Sequence, residues 1–61
     1  MGMVMRLFQI RLQGRHGESW KWVLGGPDEV AALKDALGRW KQIFGDSPVM
    51  LVEMEEVSDV V

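Results

Sequence analysis

Residues 8–24 read FQIRLQGRHGESWKWVL, and the fold follows from how this stretch pairs with itself. Phe8, Ile10 and Leu12 alternate with Gln9, Arg11 and Gln13, the period of a strand with one buried face. Trp20, Trp22 and Leu24 alternate in the same way after the turn-forming Gly14-Arg15-His16-Gly17. Register is fixed by placing like beside like. A three-residue loop, Arg15-His16-Gly17, sets Gly14 opposite Glu18, Leu12 opposite Trp20, Ile10 opposite Trp22 and Phe8 opposite Leu24. A two-residue loop would set Leu12 opposite Ser19 and Ile10 opposite Lys21. The longer loop also places Gly17 at the left-handed position of a type I turn with a G1 bulge.

Outward from this hairpin, the first strand extends over about 3–13 and the second over about 18–24. Met3, Val4, Met5 and Leu7 break the alternation by putting apolar groups on both faces. Gly25-Gly26-Pro27-Asp28-Glu29 reads as a helix start, with Pro27 at the first helical position and two acids at the positive end of the dipole. Val30, Leu33, Leu37, Trp40 and Phe44, flanked by Ala36 and Ile43, predict a helix over about 27–44. Gly45 closes it and Asp46-Ser47-Pro48 prevents its resumption. The last strand, 49–57, carries Met50, Val52 and Met54 on one face. Val49, Leu51, Glu53, Glu55 and Val57 fall on the other. The expected fold is one α+β domain over residues 1–61, with β-β-α-β order. A right-handed crossover gives sheet order 2-1-3, antiparallel or mixed, with the helix on one face.

The whole chain has 61 residues, 7 Lys+Arg, 9 Asp+Glu, one His and no Cys, for a formal net charge of −2. Of roughly 6,000 Å² buried on folding, the apolar part, about 60%, contributes on the order of 90 kcal/mol at about 25 cal/mol/Å², and chain entropy at about 1.5 kcal/mol per residue opposes it almost fully. No disulfide or cysteine zinc site is available, and one His cannot build a metal cluster, so no cofactor is expected. Self-association is the remaining stabiliser. The longest apolar runs fall far short of a membrane span, and Met1–Leu12 carries Arg6 and Arg11 where a signal peptide would be apolar. A cytoplasmic protein without membrane contact is expected.

One helix leaves one sheet face open, and that face is expected to carry Met3, Met5, Leu7, Val49 and Leu51 as an association surface of a homodimer or higher homo-oligomer. Arg11, Lys21, Glu53 and Glu55 form a charged contact patch beside it, with Arg11 and Lys21 opposite each other and the acids on the neighbouring strand. The three Trp residues are expected to fill the core, with His16 in a turn. No nucleophile or oriented base is evident, so the expected role is a protein-interaction module that binds a macromolecular partner rather than an enzyme. Two alternatives stand beside it. Nucleic-acid binding would use Arg11, Arg15 and Lys21, against the negative net charge. The second rests on Leu12-Gln13, Gly17 and Trp20-Lys21-Trp22, followed by the acidic Glu53, Glu55, Glu56 and Asp59. This layout resembles that of the small phage inhibitors of uracil-DNA glycosylase, and the resemblance implies an acidic protein that imitates nucleic acid. It carries no functional residues across.

Overall fold

The computed structural model describes residues 6–57. Met3, Met5 and the expected start of the first strand lie outside the described residues, as does the stretch 58–61. Four elements follow in order: β1 (Arg6–Gly14), β2 (Ser19–Gly26), α1 (Glu29–Phe44) and β3 (Val49–Val57). The three strands form one antiparallel sheet in the order β2-β1-β3, with α1 packed on one face.

The hairpin takes the register that like-with-like pairing selects. Leu12 faces Trp20, Ile10 faces Trp22 and Phe8 faces Leu24. The Gly14 N–H donates to the Glu18 carbonyl at 2.8 Å, closing the three-residue loop. Gly17 sits at φ 88°, where a side chain would be strained.

The helix starts later than its sequence suggests. Gly25 and Gly26 still belong to β2, paired with Leu7 and Arg6. Asp28 is extended (φ −157°, ψ 178°), and its carboxylate accepts the Ala31 N–H at 2.9 Å. It is therefore the N-cap, and Pro27 precedes the cap rather than opening the first turn. At the other end Gly45, at φ 66°, donates its N–H to the Lys41 carbonyl at 2.8 Å.

The core consists of Phe8, Ile10, Leu12, Leu24, Ala32, Ala36 and Trp40. Of the expected stripe, Trp40 is buried together with the flanking Ala36, while Ala32, which lies off that stripe, takes the contact in place of Val30 and Leu37. Two alanines let the helix lie close, and the bulkier residues turn to its sides. Leu33 and Phe44 pack against the core from there. Val30, Leu37 and Ile43 stay exposed. The helix lies over β2 and β1, and none of its Cα atoms comes within 8 Å of a Cα of β3.

Two further expectations are corrected. Trp20, expected in the core, is 49% exposed on an edge strand, with Phe44 edge-on at 6.5 Å between ring centroids. Val49, expected on the open face, packs against the core instead. The cause is a β-bulge: Gln13 pairs with Leu51 but Gly14 pairs with Val49, which leaves Met50 as the extra residue. Side-chain parity reverses there. Met50, expected beneath the helix, is 63% exposed.

Candidate association surface

The sheet face away from α1 is built from residues that the two ladders place in four rows. Read from β2 through β1 to β3, they are Gly25–Leu7–Val57, Val23–Gln9–Glu55, Lys21–Arg11–Glu53 and Ser19–Gln13–Leu51. The pleat sends every second side chain to this face, so each column reads i, i+2, i+4 along its strand. Arg11 stands between a like charge and an opposite one and resolves the conflict toward Glu53, at 3.4 Å. Both side chains are about half exposed, so the pair contributes little to stability.

The expected charged patch of Arg11, Lys21, Glu53 and Glu55 is therefore assembled. With Gln9 and Met54 these residues line a shallow depression of about 450 Å³. Of the expected association residues, Leu7 and Leu51 lie on this face, exposed and at opposite ends of it. Val49 does not, for the reason given above. Charge occupies the two middle rows, with the exposed Val23 among it, and the other apolar groups stand at the two ends, unlike an apolar patch rimmed by charge. The basic residues are not gathered into one stripe. Arg15 sits at the exposed hairpin turn beyond the sheet rows, and Arg11 is engaged by Glu53.

Further apolar residues are uncovered on the helix side, where only core is expected: Val52 (43% exposed) and the half-buried Met54 on β3, and, separately, Val30 and Leu37 on α1. The signal that could have found them is the spacing of Ala32, Ala36 and Trp40. This is an equally regular stripe, and small residues mark where a helix approaches a sheet closely.

Polar ties fasten β3 at both ends. Arg6 donates two hydrogen bonds to the Glu56 carboxylate, at 2.9 and 2.8 Å, and its guanidinium stacks over Phe8 at 5.1 Å. The Arg6 bond holds Glu56 below the usual carboxylate range. At the other end Glu18 accepts the Ser47 hydroxyl with one carboxylate oxygen and the His16 backbone N–H, at 2.8 Å, with the other. The Trp40 indole N–H donates to the Ser47 carbonyl at 2.9 Å. The Ser47 bond, then the backbone N–H groups of Glu18 itself and His16, lower the Glu18 pKa. His16 thus serves this latch with its backbone, while its residue as a whole is exposed in the turn.

Among the described residues no group of His, Cys, Asp or Glu could hold a metal, and no helix is long and apolar enough to cross a membrane. The chain matches no known family model, no curated protein and no solved structure. What the residues define is a small α+β domain with an unusually exposed apolar complement.

Proposed function

We propose that the chain is a small interaction module that works as a homo-oligomer and binds a macromolecular partner. One observation carries this reading. Among the described residues, ten large apolar side chains are exposed, while the core has seven members, two of them alanine. Burial drives folding in proportion to area, and a chain this short gains the missing area most directly from another copy. The bare β3 gives the excess a place, because a sheet edge and an uncovered sheet face meet there.

Catalysis asks for titratable groups that converge in a concave site. The charges here stand in rows on a shallow sheet face, and His16 lies apart from them at the hairpin tip, which supports binding rather than chemistry. A chain without Cys needs no oxidising compartment, and the reading keeps it cytoplasmic. Sedimentation velocity over roughly 1–300 µM, the range in which small interfaces dissociate, tests the reading. A reversible shift from monomer to dimer is expected. A monomer at every concentration overturns it.

A further inference from the structure

The open sheet face is asymmetric in a way that makes it complementary to itself. Its β2 column carries Ser19, Lys21, Val23 and Gly25, and its β3 column carries Leu51, Glu53, Glu55 and Val57. Apart from one valine in each, the first column holds a lysine with serine and glycine, and the second two glutamates with leucine. Lys21 and Glu55 join no ion pair among the described residues. We propose that a second copy seats on this face about a two-fold axis parallel to the strands and lying over β1, midway between the two sheets. The proposal rests on the self-association reading and names its surface.

The charges select the axis. A two-fold axis along the strands lays the β2 column of one copy over the β3 column of the other, row by row. Lys21 then meets the partner's Glu53, with the partner's Glu55 one row away. Leu51 meets the partner's Ser19, and Val57 meets the partner's Gly25, so large groups face small ones. Over the axis Leu7, Gln9, Arg11 and Gln13 meet their own counterparts, and each Arg11 keeps its own Glu53 beside it to offset the like charge across the axis. An axis across the strands would instead stack β3 on β3, acids over acids, which like-charge repulsion disfavours. Two sheets packed in this way are the aligned sandwich, about 10 Å apart with the strands rotated by about 30°.

The size of the face sets the expected strength. Three strands at about 4.8 Å spacing and eight residues at about 3.4 Å cover about 400 Å² per copy before side-chain relief. That is below the area of a standard specific interface and fits a pair that dissociates in the micromolar range.

Lys21→Glu and Glu53→Lys, the two residues that face each other across the axis, test the proposal by sedimentation, alone and mixed. Each variant alone places like charges across the axis twice and should weaken dimerisation about tenfold or more. An equimolar mixture restores both attractive contacts and should form the heterodimer at wild-type affinity. Lys21→Glu also replaces a like-charge neighbour of Arg11 by an opposite one, so its thermal midpoint at low concentration should not fall. Raising the salt from about 0.05 to about 0.5 M should weaken the wild-type dimer, since charge selects its axis. A wild-type dimer with both variants dimerising equally well overturns the face and leaves self-association standing. Weakened variants that fail to rescue each other overturn the axis. A wild-type chain that stays monomeric overturns the self-association reading itself.

Discussion

β1 and β3 are neighbours with similar alternation, yet they live in different environments. On β1, Phe8, Ile10 and Leu12 are 1%, 0% and 0% exposed. On β3, Val52 stands directly beside Leu12 and is 43% exposed. Both strands send these side chains toward the helix side. The difference is lateral: the helix spans β2 and β1 and stops short of β3. β1 is held by apolar contact from three sides. β3 is held by its ladder, by the half-buried Val49 and Met54 against the core, and by polar ties near its ends, Arg6 to Glu56 and Ser47 to Glu18. Alternation says which face a residue occupies. How much of that face is covered depends on where the strand sits under its helix.

The largest expected effect compares the strands directly. Ile10→Ala should cost about 2–5 kcal/mol, because Ile10 is fully buried and its site has core on both sides. In a domain of this length, whose total stability is about 3–9 kcal/mol, that is enough to unfold much of the population. Val52→Ala should stay within about 0.5 kcal/mol in dilute solution, as for other exposed positions. Urea melts followed by far-ultraviolet circular dichroism measure both. Equal losses would mean that β3 is covered in solution, and the contrast between the strands would disappear.

Gly14 marks the end of the β1 file, where β3 bulges to meet it. A Cβ at this position would run into the Glu18 carboxylate and lie 3.0 Å from Trp40 Cζ2. Gly14→Ala must displace the Glu18 side chain, which costs the bonds to Ser47 and His16, or push the buried Trp40. A loss of about 1–3 kcal/mol is expected, as for other overpacking changes. In a Glu18→Ala background much of this loss should vanish, because both changes act on one latch. Full additivity would place the damage on Trp40 alone.

The hairpin register, the sheet order and the element types were legible because each depends on short-range pattern: alternation, a glycine turn and a helical period. The polar row of Lys21, Arg11 and Glu53 was legible for the same reason, since it follows from register. Three features were not. The bulge at Met50 is a single-residue choice made where Gly14 meets Val49, and no local propensity announces it. The helix rotation was misread because the apolar stripe on Val30, Leu33 and Leu37 is bulkier than the alanine line that makes the contact. The exposure of Val52 depends on how far one helix reaches sideways, which is a tertiary quantity. The polar latch of Glu18 with Ser47 joins residues 29 positions apart, beyond the reach of any spacing argument.

Acid should separate the two strands by the smallest but most selective effect. The Glu18 and Glu56 carboxylates both have pKa values lowered from 4.5 in the folded chain, the first by the Ser47 hydrogen bond and the second by the Arg6 bond. A depressed folded-state pKa gives stability that is fully present above the unfolded value and lost as pH falls through the folded value. Glu56 is exposed and Glu18 only half-buried, so the loss is small in energy. Its location is the informative part, because one tie ends on β3 at Glu56 and the other on Ser47 in the loop leading into β3, whereas the core under the helix contains no buried polar or charged residue. Between about pH 6 and about pH 3, β3 amides that bond to β1 should lose hydrogen-exchange protection before β2 amides that bond to β1. Combining Glu18→Gln with Glu56→Gln should flatten that difference, since neither amide titrates. If β2 and β3 lose protection together across the range, the end ties are not what holds β3, and the ladder to β1 with the packing of Val49 and Met54 must account for it.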